Sequence, residues 1–228
     1  MKNLVVLTGA GISADSGIAT FRDNNGLWCN HRVEDVATPE AWYKNKQLVL
    51  DFYNERRRGL KTAEPNAAHK ILAELEKYFN VTIITQNVDD LHERAGSSNI
   101  IHLHGELKKS RSEKNNQLVY DCEEDIQLGD LAEDGVQLRP HIVWFGEEVP
   151  MIERAVEVAE TADIFLIVGT SLQVYPAAGL MHYVPYYCSV YLIDPAEPQI
   201  KFPRENFIQK RASEGMHIFK DLILSREN

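Results

Sequence analysis

The stretch Leu4-Val5-Val6-Leu7-Thr8-Gly9-Ala10-Gly11-Ile12-Ser13-Ala14-Asp15-Ser16-Gly17 decides the fold. It is a short apolar run, then a glycine-rich turn, then small polar residues suited to a helix entry. A buried strand feeding such a turn is how α/β proteins build a phosphate cradle. Glycines let the backbone approach a pyrophosphate, and amides at a following helical start point at it. The spacing departs from the GxGxxG dinucleotide fingerprint, because Ser13 and Ala14 fall in the region of the third glycine and Gly17 follows later. A second reading stands beside the cradle: an ordinary tight strand-to-helix turn that needs small residues.

Working outward, apolar runs bounded by turn signals recur at Leu4–Leu7, Val81–Thr85, Ile100–Leu103, His141–Phe145, Ile164–Val168 and Val190–Ile193. Most are continuous rather than alternating, as parallel strands covered on both faces are. Helical spacing lies between them. Ile71, Leu72, Leu75 and Phe79 share a face after a cap at Asn66, and Pro150–Ala162 and Glu214–Leu224 read similarly. Strand and helix in alternation predict an α/β fold with a doubly wound parallel sheet. Residues 31–64 (polar and helical, with Arg56-Arg57-Arg58) and 108–138 (charged and turn-rich) do not fit the alternation. They read as two insertions forming a small module on a main domain of residues 1–30, 65–107 and 139–228.

Composition bounds the rest. The chain has 228 residues, 24 Lys and Arg against 34 Asp and Glu, and a net charge of −10, which argues against nucleic acid as a partner. No apolar run approaches a membrane span. Cys29, Cys122 and Cys188 are too scattered for a disulfide framework. With no basic leader before the first strand, the cytoplasm is the expected compartment; a monomer is expected.

Chemistry concentrates at strand exits, where α/β sheets bind ligands. Thr85-Gln86-Asn87-Val88-Asp89-Asp90-Leu91-His92 places Gln86, Asn87 and Asp89 past one strand, for a ribose or carboxamide or, more plainly, for capping a helix. In His102-Leu103-His104-Gly105 the two histidines share a strand face, and His104 at the strand end suits a general base or a structural hydrogen bond. Gly169, Thr170 and Ser171 repeat the pattern for a second phosphate or ribose, and Asp194 ends the next strand; turn chemistry accounts for both equally well.

GAGIS with SGIATFRD, TQNVDDLH, HLHGE, LRPHIVWFGE and GTSL stand in this order over nearly the whole chain. Together they resemble the sirtuins, NAD-dependent protein-lysine deacylases. The resemblance implies a Rossmann-like domain binding NAD through Gly9, Ala10, Gly11, Ser13, Phe21, Arg22, Gln86, Asn87, Asp89, Gly169, Thr170, Ser171, Asp194 and Ala212. It implies His104 as general base toward a ribose hydroxyl, with Asn87 and Asp89 holding the carboxamide and an ordered water, and Phe21 covering the emptied pocket. Val143, Trp144, Phe145 and Gly146 would pair with an acyl-lysine peptide as a strand. The acyl group would pass to ADP-ribose, with release of nicotinamide and O-acyl-ADP-ribose.

Two features refine this. Most sirtuins bind a structural zinc through two cysteine pairs in the small module. Here only Cys122 lies between residues 107 and 140, with no histidine, so zinc is expected to be absent. Tyr53 and Arg56, three apart on a helix, match the Tyr-x-x-Arg pair of desuccinylase-type sirtuins. There Arg56 would grip a carboxylate of a succinyl, malonyl or glutaryl group; the alternative is an exposed basic face shared with Arg57 and Arg58. The rival activities are NAD glycohydrolase or ADP-ribosyltransferase, and a non-catalytic NAD-sensing module.

Overall fold

The structure is a computed structural model and describes residues 1–20 and 31–227. The first apolar run forms β1 (Asn3–Thr8). It pairs in parallel with β2 (Asn80–Thr85), which pairs with β3 (Ile100–His102). On its other side β1 pairs in parallel with β7 (Ile164–Val168), followed outward by β8 (Ser189–Ile193) and the two-residue β9 (Phe207–Ile208). The sheet order β3-β2-β1-β7-β8-β9 is doubly wound, and chain direction across the sheet reverses between β1 and β7. That reversal opens a crevice beyond the carboxyl ends of these two strands.

Both faces are covered, which explains the continuous apolar strands. Leu4 and Val6 of β1, with Leu166 and Val168 of β7, pack under α4 (Ala67–Leu75) and α7 (Ala212–Glu227), through Leu72, Leu75, Met216 and Phe219. Val5, Leu7, Phe165 and Ile167 alternate onto the other face. There α6 (Ile152–Ala159) and the 3-10 segment Ala177–His182 supply Ala155, Ala159, Ala177 and Leu180. Asn66 caps α4 as expected, its side chain accepting from the Ala68 amide at 2.9 Å.

Three expectations need correction. The run His141–Phe145 is not a strand of the parallel sheet: β6 (Leu138–Ile142) pairs antiparallel with β4 (Gly105–Ser112), and β4 with β5 (Val119–Asp121). This three-stranded sheet extends beyond residues 108–138 at both ends. Its alternating burial, one face only, had hidden β4 among charges. The glycine turn does not open an α-helix; two single 3-10 turns follow, Ala10–Ile12 and Ala14–Ser16, ended by Gly17 at φ +84°.

The antiparallel sheet packs against α1 (Val33–Val36), α2 (Pro39–Lys44) and α3 (Lys46–Leu60) through Trp42, Phe52, Leu107, Ile126, Ile142 and Trp144. Polar ties reinforce it. Asn54 donates to the Ile126 carbonyl and accepts from the Ile126 amide, both at 2.9 Å. Arg57, 2% exposed, donates to the Leu107 carbonyl at 2.7 Å and to Asn54 Oδ1 at 2.7 Å. Arg58 pairs with Asp125, and Lys61 with Glu124 at 2.9 Å. Among the described residues no group of three His, Cys, Asp or Glu side chains is gathered closely enough to hold a metal ion.

Candidate active site

The turns leaving β1 and β7 meet at the crevice. Gly9 and Gly11 donate their amides to the carbonyls of Val168 (3.0 Å) and Gly169 (2.9 Å). A β-carbon at Gly9 would lie 2.8 Å from the Gly169 oxygen and from Thr170 Cβ. Ile12 and Ser13 donate to the carbonyls of Gly9 and Ala10 at 3.1 Å each. The amides of Gly9, Gly11, Ile12 and Ser13 are thus committed within the protein. The glycines serve first to let two backbones touch. Thr170 Oγ1 accepts from Gln86 Nε2 at 3.2 Å and from the Leu172 amide, drawing the exits of β2 and β7 together; Ser171 is half-buried beside them.

Behind the turn lies a buried polar cluster. Ser13, fully buried, donates its hydroxyl to Asp89 Oδ2 at 3.0 Å and accepts from Asn87 Nδ2 at 3.2 Å. Burial raises the Asp89 carboxyl above its usual range, opposed by the Leu91 amide and the Ser13 hydroxyl. His69 Nδ1 accepts from the Asn66 amide at 3.3 Å, so the proton of this neutral ring is on Nε2, 3.4 Å from Ser13 Oγ. Burial pushes His69 down to about 4. His92, at the start of α5 (Leu91–Ala95), packs edge-on against His69 with ring centroids 4.9 Å apart and lies 3.1 Å from Thr8 Oγ1. His69, His92, Thr8 and Thr85 went unnoticed in the sequence. Their only signal was polar residues standing at otherwise apolar strand and helix positions.

The two histidines of the HLHG stretch separate clearly. His102 Nε2 meets Glu93 Oε1 at 2.7 Å; burial disfavours its charge, but Glu93 outweighs this and raises its pKa. His104 Nδ1 lies 3.0 Å from the Gln86 carbonyl, which can only accept, so Nδ1 carries the proton and Nε2 the lone pair. Burial holds His104 below the usual histidine range, against that bond. At neutral pH it is a neutral imidazole with a defined basic nitrogen.

The segment 143–146 is not a strand but a strap. The Val143 amide donates to the His104 carbonyl at 2.9 Å, and the Phe145 amide to the Ala37 carbonyl at 3.0 Å. Trp144, 2% exposed, donates its amide to Glu147 Oε2 at 2.8 Å, while Arg139 stacks on its ring 3.2 Å from the centroid and pairs with Glu147 at 2.7 Å. Phe145 and Gly146 (φ +90°) are exposed. Tyr53 is fully buried against Trp144, ring centroids 6.5 Å apart, and burial raises its hydroxyl pKa, opposed by the charge of Arg56 and a bond with Trp144. Arg56 is half-buried with its guanidinium 5.2 Å from the Phe52 ring centroid. An exposed basic face is excluded for the trio as a whole, because Arg57 is inside. Asp194, buried past β8, accepts from the Ala196 amide at 2.9 Å, and Ala212 is buried at the start of α7. Phe21 and Arg22 lie outside the described residues.

A profile of the Sir2 family matches residues 9–176. The chain belongs to the Sir2 family. It is 58% identical to an NAD-dependent protein deacylase of Bacteroides thetaiotaomicron, over 98% of this chain and 99% of that one. An NAD-dependent protein deacylase of Helicobacter pylori is 56% identical over 98% of this chain and 94% of its own. A Sir2 homolog–NAD complex superposes with a TM-score of 0.88 at 40% identity, covering 100% and 91% of the two chains. A Sir2 variant with a deacetylated peptide and 3′-O-acetyl ADP-ribose gives 0.79 at 28% identity, covering 96% and 92%. In this Sir2 chain His104 stands between β3 of the parallel sheet and β4 of the antiparallel one, and its carbonyl accepts from the Val143 amide of the strap.

Proposed function

We propose that this Sir2-family protein is an NAD-dependent protein-lysine deacylase that favours succinyl, malonyl or glutaryl groups and retains deacetylase activity. The observation that carries it is His104: a neutral imidazole with Nε2 as its basic nitrogen, joined through its own carbonyl to the amide of Val143. Base and peptide strap are thus one rigid unit, which a plain glycohydrolase has no use for.

The residues fit NAD. The Gly9–Gly11 turn, packed backbone to backbone on Gly169 and Thr170, would form the floor under a diphosphate, with Ser171 and Asp194 toward the adenosine end. Asn87 and Asp89, braced by Ser13, offer an amide and a carboxylate to a carboxamide. NAD would supply an electrophilic ribose carbon and a nicotinamide leaving group. His104 Nε2 would take a proton from a ribose hydroxyl, whose oxygen would bond to the acyl carbon; one water would be consumed as the bond from that carbon to the lysine nitrogen breaks, giving free lysine and O-acyl-ADP-ribose. A peptide adding to the strap would use its carbonyls and the Gly146 position, since the amides of Val143, Trp144 and Phe145 are committed.

The dicarboxylic preference rests on Tyr53 and Arg56, one turn apart on α3, with the charge of Arg56 acting on the buried Tyr53 hydroxyl. A guanidinium fork suits a terminal carboxylate. We hold zinc unnecessary here, the Asn54 and Arg57 ties fastening the module instead. The test is mass spectrometry of succinyl-, malonyl- and acetyl-lysine peptides with NAD. Acyl loss matched by nicotinamide release supports deacylation; nicotinamide release without acyl loss would mark a glycohydrolase.

A further inference from the structure

His92 is 1% exposed, buried behind the ends of β1 and β2. Its Nε2 faces Thr8 Oγ1 at 3.1 Å. Thr8 and Thr85 hydroxyls lie 2.8 Å apart, and Thr85 Oγ1 accepts the backbone amide of Asn87 at 3.0 Å. The Asn87 amide donates to Thr85, the Thr85 and Thr8 hydroxyls bond to each other, and His92 Nε2 ends the chain at Thr8, as donor or acceptor according to its tautomer. Burial, with the neighbouring His69 and His102 opposing further charge, holds His92 well below the usual range, so the ring stays neutral. A second chain, from His69 through Ser13, reaches the Asn87 side chain.

We propose that His92 is a positioning residue. Through Thr8 and Thr85 it fixes the backbone of Asn87, so that the Asn87 side chain meets Ser13 and the bound carboxamide in one orientation. This rests on the deacylase reading given above. Losing this buried partner leaves the Thr8 and Thr85 hydroxyls free to rotate.

The test uses the full-length protein. Without NAD, His92→Leu should speed hydrogen exchange of the Asn87 amide about fivefold to thirtyfold relative to neighbouring amides, and His92→Gln, whose side-chain amide offers both a donor and an acceptor near the Nε2 position, should restore most of the protection. With NAD and acyl-peptide, His92→Leu should lower kcat by a similar factor while KM for the peptide holds. In a Thr8→Val background, the same change should add little, because the chain is already cut. Unchanged Asn87 exchange in a folded His92→Leu protein, or full additivity with Thr8→Val, would overturn the proposal. If His92→Leu does not fold, His92→Gln and Thr8→Val alone decide it: Thr8→Val must loosen Asn87 and His92→Gln must not. A wild-type protein that shows no NAD-dependent deacylation overturns the deacylase reading instead, and the exchange measurement still judges His92.

Discussion

Gly11 and Gly169 touch backbone to backbone: a β-carbon on Gly11 would fall 2.6 Å from the Gly169 Cα, and Gly169 holds φ +63°. The contact locks the turn after β1 to the turn after β7, and so sets the width of the crevice.

Gly11→Ala should therefore force the two turns apart. Gly169→Ala should add about 1–2 kcal/mol of left-handed strain to the same clash. Both should lower the melting temperature by several degrees or more and weaken NAD binding by calorimetry. Gly17→Asn is the control. Gly17 has φ +84° but no neighbour within 4 Å, so only a small loss is expected. Equal effects at Gly11 and Gly17 would refute the packing explanation.

His104→Ala should reduce deacylation by about 10²–10⁴-fold while NAD affinity holds. His102→Ala should disturb stability more than turnover, because His102 is paired with Glu93. The acid limb of kcat/KM should have its midpoint below the usual histidine range, since burial depresses His104 and activity needs the neutral ring. A midpoint above that range would assign the limb to another group.

Arg56→Met should lower succinyl over acetyl efficiency by on the order of tenfold to a hundredfold, the value of a charge-assisted bond of about 1.5–3 kcal/mol. Acetyl turnover should hold or rise. A constant ratio would return Arg56 to a structural role beside Phe52.

Asn54→Ala should cost about 2–4 kcal/mol, as it strips partners from the Ile126 backbone and from buried Arg57 together. Chelators should leave the melting curve unchanged, and elemental analysis should find no stoichiometric zinc. A chelator-induced drop in melting temperature would show that a metal, not Asn54, holds the module.

Stability should fall with acid. His69 drops from its usual 6.5 to about 4 when folded, so below pH 6.5 the unfolded chain binds more protons and stability declines as pH falls toward 4. His69 alone should account for about 2 kcal/mol by roughly pH 5, and His92, shifted the same way, adds to it. A denaturation midpoint flat from pH 7 to about pH 5 would contradict neutral burial of both rings.

The parallel strands were legible because both their faces are apolar, and the crevice because strand exits carry polar clusters. β4 and β5 were not, since a sheet buried on one face leaves the other polar, and half the residues of β4 are charged. The strap at Val143–Phe145 looked like a strand by its apolar run, yet its amides bond to His104 and Ala37. Arg57 reads as a surface charge from its neighbours, and only the Leu107 carbonyl and Asn54 reveal it as an interior one. The role of glycine in the first turn was visible, but its partner, Gly169, lies too far along the chain for local pattern to supply.

β1 occupies the middle of the parallel sheet, between strands that begin at Asn80 and Ile164. A ribosome makes this strand before either neighbour, and β7 long after β2. Until then one edge of this apolar strand stays open, and the GAGIS turn lacks the β7 exit that braces it. Folding of the sheet thus waits on length synthesised rather than on local preference. A nascent chain halted before Ile164 should depend on chaperones for solubility, whereas one that has released β7 should not.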